Sequence, residues 1–294
     1  MRGQLQAAAV AFAATLSLLL NWLGAAVVAL FILRHGRGAL PVAAAAALAA
    51  LWYSLNGNIG PMVTLLAACC AAIVLRTTRQ WRMVLLALPA IAAALAMAVM
   101  LLAGEYVAHS VELFTQSLEQ LRAQAEQAVS EGQAQPAVLE RVEWLQQQPP
   151  ASLLMAMFAV LQMLTTLLSL LLARWWQAML YNPGGLQSEL HALRLGRIDI
   201  VLLVAVLLIF DFSAGHQLWS MLAVVPLVVA ALALVHALVK HFALGAFWLV
   251  VTYLSIPAFM PLVVPLLMML AILDSAIDIR ARLPEQTRNG NGNE

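Results

Sequence analysis

The sequence predicts an all-α fold: a polytopic membrane bundle of about seven to nine segments, some short or re-entrant, with an amphipathic helical hairpin outside it. Three observations carry this. Apolar residues make up 64% of the 294 and charged residues 10%, against roughly 25% charged in soluble chains. The apolar residues gather in long runs, and the basic residues cluster at particular ends of those runs. A chain so poor in polar residues cannot cover itself in water, so lipid must solvate most of its surface.

The first run, from about Gln6 to Leu33, is longer than a signal-peptide core and reads as one span, 8–33, too short to cross twice. Further spans fall at 39–55, 61–75, 82–103, 151–179, 198–213, 217–238, 243–256 and 259–278. A helix needs about 20 residues to cross about 30 Å of hydrocarbon. By that measure 39–55, 61–75 and the last two are short, each a brief crossing or half of a re-entrant pair. The adjacent Cys69 and Cys70 point about 100° apart on a helix and cannot form an ordinary bridge. They read as small packing residues.

The chain divides into membrane helices over 1–103, an external acidic hairpin over 104–150, membrane helices over 151–279 with an elbow at 181–197, and a disordered polar tail over 280–294. Arg34, Arg37, Arg76, Arg79, Arg82, Arg174, Arg194, Arg197, Lys240, Arg280, Arg282 and Arg288 flank one set of segment ends. The positive-inside rule places that set in the cytosol, with the N-terminus outside and the C-terminus inside. Trp81, Trp175 and Trp176 stand beside these arginines as interfacial anchors do.

Glu105 to Pro150 carries seven glutamates against two arginines, a formal charge of −5. Val107, Val111, Phe114, Leu118, Leu121, Ala125 and Ala128 recur at spacings of four and three, an a/d seam. The fourth span is expected to continue outward as this helix, and a second helix near 137–147 returns to the membrane before Pro149-Pro150. Glu105, His109 and Glu112 share a face and are a weak metal candidate; a solvated acidic face is the blander reading.

The stretch YNPGGLQSELHALRLGR, residues 181–197, interrupts two apolar runs. Asn182, Pro183, Gly184 and Gly185 spell a turn that stops the preceding helix. Leu186, Leu190 and Leu193 then share one face of a short interfacial helix ended by Gly196-Arg197, with Gln187, His191 and Arg194 to one side. This is either an elbow that turns the chain or a docking surface for a partner, with Asn182, Pro183, Gly184, Gly185, His191, Arg194 and Arg197 as its candidate residues. NPGG lacks the lysine and glycine spacing of a phosphate-binding loop.

Ionisable groups near apolar spans are functional candidates by default. Asp199, Asp211 and His216 lie at span ends, and Asp278 is spaced to pair with Arg282. His236 and Asp274 are deeper and could line a ligand or proton path. No nucleophile elbow, zinc-protease motif or paired catalytic aspartates occur, so enzymatic activity and a cofactor are not expected.

The elbow, through Asn182, Pro183, Gly184, Gly185, Leu193, Arg194 and Gly196, resembles that of the YybS-like predicted membrane proteins of bacteria in their proteobacterial version. That family is grouped with the substrate-binding S components of energy-coupling-factor transporters. The resemblance implies a bacterial inner-membrane protein, transport-related, with an outward-facing pocket for a small or amphiphilic ligand and a membrane or cytosolic partner engaged through the elbow. The alternative is a non-transporting scaffold that uses the seam Val111, Phe114, Leu118 and Leu121 for protein–protein or self association. Nucleic acid is not an expected partner.

Overall fold

In hydrocarbon every backbone N–H and C=O must be bonded within the segment, which leaves the helix as the default for apolar runs of this length. The computed structural model describes residues 3–17, 19–133 and 135–282, and their regular elements are all helical. In order they are α1 (Gln4–Leu16), α2 (Asn21–His35), α3 (Leu40–Leu55), α4 (Gly60–Thr78), α5 (Trp81–Leu102), α6 (Gly104–Ser130), α7 (Pro136–Gln147), α8 (Pro150–Tyr181), α9 (Gly185–His191), α10 (Arg197–Asp211), α11 (Met221–His241), α12 (Phe247–Ala258) and α13 (Met260–Ile277). Among the described residues, six stretches are long and apolar enough to cross a membrane: Asn21–Leu55, Gly60–Thr78, Trp81–Leu102, Pro150–Tyr181, Gln217–His241 and Met260–Ile277. This is an integral membrane protein by the length and composition of its helices.

The 32 residues of α8 extend about 48 Å at 1.5 Å per residue and serve as a ruler for the bundle. Near one end, Ser152 Oγ donates to Gly215 O at 2.9 Å, which fixes the turn between α10 and α11 there. Near the other end the Arg34 guanidinium lies 4.3 Å over the Tyr181 ring. Arg76 donates to Ile32 O and Leu33 O at 2.9 and 2.7 Å, Arg82 pairs with Asp199, and Arg194 reaches Asp278. The arginine-bearing ends of α2, α4, α5, α8, α10 and α13 therefore meet at one end of the bundle.

The predicted single span 8–33 is instead two helices. α1 and α2 are broken at Ser17–Leu20 and packed side by side. The sequence hides the break because the run there, Ser17-Leu-Leu-Leu20, has neither Pro nor Gly. The fold-back is written in small residues instead. A Cβ on Gly24 would sit 2.9 Å from Thr15 N and 3.0 Å from Ala11 O, so only glycine lets the helices approach this closely. Ala7 and Ala11 of α1 and Ala46, Ala49 and Ala50 of α3 are fully buried where α1 packs on α3, as expected where van der Waals contact rather than water exclusion joins helices.

Gln4 Nε2 donates to Gly38 O at 3.4 Å, and Tyr53 OH donates to Leu16 O at 2.5 Å. Thus α1 starts at the arginine-bearing end, beside Arg37, and runs parallel to α3. An amino-terminal helix starting at the opposite end, as a single 8–33 span requires, is not what the structure has. Ser169 Oγ lies 3.0 Å from Trp22 O, so the α1–α2 turn sits about 18 Å from the Asn182 end of α8. The α3–α4 turn reaches further. Thr64 Oγ1 donates to Gln162 Oε1 at 2.5 Å, and Gln162 Nε2 donates to Gly60 O at 3.4 Å. The short segments 39–55 and 61–75 are thus one hairpin rooted at the arginine end, and its turn lies about 18 Å short of the other end of α8. α12 and α13 make a second hairpin of this kind, with Tyr253 against His236 of α11.

α5 and α6 are separated only at Ala103 (φ −127°, ψ 44°), and α7 packs back along α6, with Arg122 bridging Glu126 and Glu143. The tail expected to be disordered from 280 onward begins instead with a 3₁₀ turn over Arg280–Arg282; residues 283–294, including Arg288, lie outside the described residues.

Candidate functional site

α8 stops where the sequence says it should. Gly185 N donates to Asn182 O at 2.9 Å, closing a four-residue turn with Pro183 at its second position and Gly184 at its third, where φ is +84°. Glycine is the residue that takes this conformation without cost. A Cβ on Gly185 would stand 2.3 Å from Asn182 Nδ2, so the second glycine clears the asparagine. The turn launches α9, which is shorter than expected: it ends at His191, and residues 193–196 run without helical structure.

The reason is the grip that residues 193–197 exert on α13. A helix leaves its last carbonyls without internal partners. Here Arg194 donates to Asp274 O (3.1 Å) and Ser275 O (3.0 Å), and Arg197 to Ala276 O (3.1 Å). In return Arg280 Nη1 donates to Leu193 O at 2.5 Å. Asp278 pairs with Arg194 at 2.5 Å and not with Arg282, which turns to Ile277 O. The expected i, i+4 pair fails because Asp278 has left the helix, with φ +52°. Leu193 and Leu195 are buried beneath this clamp.

On its other side α9 lies against α8 and α11 and roofs an open groove of about 600 Å³. The groove follows α8 from Leu167 to Met179, about 18 Å of helix. Its far wall is Val229, Leu232 and Ala233 of α11. Polar atoms cluster at one end only: His236, whose Nε2 is 3.0 Å from Tyr253 OH, with Gln187 and His191 from α9. Burial, then the charges of Lys240, His236 and Arg280, hold the His191 pKa below its ordinary value.

The structure therefore brings together Pro183, Gly184, His191 and His236 in one lining, and places Arg194 and Arg197 beside it as fasteners of α13. Asp274 is elsewhere. It is 4% exposed, accepts from Ile279 N at 3.1 Å and lies 3.7 Å from Arg280, so it caps a helix and is not part of the groove's lining. The seam of α6 is spent inside the chain: Val107, Leu118 and Ala125 are buried, Val111 and Phe114 half-buried, and only Leu121, at 45%, is exposed. Glu105, His109 and Glu112 are exposed, and no group of three or more potential ligands that could hold a metal ion occurs among the described residues.

Sequence reasoning missed three features. Tyr253 sits in a short apolar run with nothing to mark it. Asp199 is not a water-reached span end but is 2% exposed, gripped by Arg82 and by Gly196 N at 2.6 Å. Glu189 accepts from Trp81 and Arg174, each at 3.0 Å. Burial opposes its charge, but those hydrogen bonds and the Arg174 cation hold its pKa below the ordinary value. A lone carboxylate in a basic segment was the available signal for Glu189.

No family model, curated protein or solved structure matches the chain. The groove opens near the arginine-bearing end, whereas the resemblance to S-component-like proteins implies a pocket on the opposite face.

Proposed function

We propose that this integral membrane protein binds an amphiphile in the groove between α8, α9 and α11, and that α9 registers its presence. One observation carries the reading: the elbow and the His236–Tyr253 pair, far apart in sequence, line the same cavity. A groove lined mainly by leucine, valine and alanine, with its hydrogen-bonding groups at one end, suits a molecule with an apolar tail and an uncharged or weakly polar head. Groove and bilayer are equally apolar, so tail burial alone gives little preference for the site; the head contacts must supply it. The positive-inside rule supports placing the arginine-bearing end in the cytosol and the α6–α7 hairpin outside. Because α1 starts at the arginine end, Gln4 and Arg282 would then both face the cytosol. A transport-related role of the S-component kind, and membership of the YybS-like family, remain part of this proposal and rest on the elbow residues.

The test is photolabelling of the purified chain with a diazirine-bearing fatty acid. Adducts mapping to residues 167–179 and 229–236, lost in Leu232→Trp, support the reading. Adducts spread evenly over all exposed helices, and unaffected by that substitution, defeat it. Signalling through α9 is read separately, from the rate of thiol labelling at Ser188→Cys in a Cys69→Ala/Cys70→Ala background, with and without the fatty acid. The scaffold alternative is weakened by the internal use of the seam and would have to rest on exposed Leu113 and Leu121.

A further inference from the structure

On the opposite flank of the last turns of α8 lies a second cavity, of about 510 Å³, lined by Leu33, Arg34, Leu75, Arg76, Arg79, Arg174, Gln177 and Glu189. Four guanidinium groups face it and one carboxylate. The topology rule explains why arginines lie at this end, but not why four converge on one hollow.

The carboxylate is already committed. Glu189 is held by Arg174 through two nitrogens and by Trp81, while Arg174 Nη1 donates to Gln177 Oε1 at 2.8 Å. That leaves Arg34, Arg76 and Arg79, none of which forms an ion pair among the described residues. Other arginines at the same end are spent differently: Arg82, Arg194 and Arg280 have carboxylate partners, and Arg197 and Arg282 cap the end of α13.

Two of the three are also held in place. Arg34 stacks on Tyr181 at 4.3 Å. Arg76 anchors one nitrogen on Ile32 O and Leu33 O. Its guanidinium lies flat against Gly36, where a Cβ would come within 3.0 Å of it; Gly36 is at φ +58° and ψ −120°, open only to glycine. Arg79 ends α4 at φ +55°. Gly36 and the Tyr181 ring thus hold Arg76 and Arg34 at the hollow, and Arg79 lines it beside them.

We infer that this cavity is a phosphate-binding site, built from Arg34, Arg76 and Arg79 with Arg174 behind them. Guanidinium forks match the oxygens of a phosphate ester in pairs, and an excess of three positive charges suits a group of charge −1 to −2. The same chemistry is carried by the headgroup of an anionic phospholipid and by inorganic phosphate or a soluble phosphoester.

The experiment uses the full chain in detergent and in nanodiscs. Thermal unfolding is followed against inorganic phosphate, and native mass spectrometry reports which phospholipid is retained from nanodiscs of mixed phosphatidylcholine and phosphatidic acid. Variants are Arg34→Gln and Arg79→Gln, with Arg37→Gln as another exposed arginine at the same end but outside the cavity. The expected result is saturable stabilisation by phosphate, or selective retention of phosphatidic acid, weakened at least tenfold in both cavity variants and unchanged in Arg37→Gln. Retention of the lipid without a phosphate response assigns the site to a headgroup, and the reverse assigns it to a soluble ligand. Neither response, or an equal loss in Arg37→Gln, overturns the inference. Circular dichroism of each variant keeps a folding defect from passing for lost binding.

Discussion

Gly24→Ala separates the α1–α2 hairpin from the single span that hydropathy suggests, because the two predict opposite signs. In one continuous helix, alanine replaces glycine at an interior position and stabilises by up to about 1 kcal/mol. In the hairpin the new methyl would stand 2.0 Å from Thr15 Oγ1, 2.9 Å from Thr15 N and 3.0 Å from Ala11 O. The hydroxyl can rotate away; the two backbone atoms cannot. Restoring ordinary contact requires α1 to retreat by about half an ångström along its length, loosening Ala7 and Ala11 from α3. Overpacking of this kind costs about 1–3 kcal/mol, so the net effect is a loss of up to about 2 kcal/mol after the propensity gain. Reversible SDS unfolding in mixed micelles, followed by circular dichroism, measures it. Thr15→Ala should recover only the side-chain part of the loss, since the contacts at Thr15 N and Ala11 O remain. Stabilisation by Gly24→Ala, or full rescue by Thr15→Ala, would refute the close approach.

Four other outcomes follow from the same geometry. Arg82→Ala strands the buried Asp199 carboxylate and should cost about 2–3 kcal/mol, below the usual 3–5 for a broken buried pair because the arginine side chain is 43% exposed; adding Asp199→Asn should recover at least half, and additivity in that cycle would count against the pairing. Gly184→Ala should cost about 1 kcal/mol in the same unfolding assay, since alanine must take φ +84°, and it should alter thiol labelling at Ser188→Cys. His191 has its folded pKa below the ordinary 6.5, so its contribution is intact above that value and lost as pH falls through the folded pKa; His191→Asn should flatten the fall in thermal midpoint on acidification below pH 6.5, whereas Glu189, lowered from 4.5, acts only at still lower pH. Leu118→Glu should open the α6–α7 hairpin to proteolysis while Leu121→Glu leaves it protected, because the first is buried and the second exposed.

Where hydropathy and charge act together, the sequence was readable. The helical class, the short pair 39–55 and 61–75, the gathering of Arg34, Arg76, Arg82 and Arg194 at one end and the PGG turn all follow from one-dimensional pattern. What was not readable depends on approach distance. Ser17 and Asn21 bracket the leucines at the break, but neither stops a helix by itself; the evidence for the break is that Gly24 has no room for a methyl, which exists only once α1 lies alongside. Asp278 illustrates the same limit. Its spacing to Arg282 is that of a helical pair, but the chain leaves the helix at that residue, and Arg194, 84 positions earlier, takes the carboxylate. His236 and Asp274 looked alike in sequence as ionisable groups in apolar runs. Only their neighbours distinguish them: Tyr253 and an open groove for one, Ile279 N and Arg280 for the other.

The clamp on α13 limits how the elbow can act. Arg194 and Arg197 bond three carbonyls at the end of α13, and Arg280 answers through Leu193 O, so residues 193–197 cannot move as a free flap without uncapping a helix. Net hydrogen bonds to charged groups are worth about 1.5–3 kcal/mol each, and releasing several at once exceeds what a weakly held amphiphile could supply. Movement is far cheaper at the other end of α9, where Gly184 and Gly185 form the hinge and the side chains of Gln187 and Ser188 are exposed. An occupant of the groove that pushes on Leu186 and Leu190 would therefore swing α9 about its clamped end and displace Gln187 and Ser188 most. Under the proposed reading, the first turn of α9 is the part that reports an occupant, and substitutions at Arg194 or Arg197 should damage the fold of α13 before they affect it.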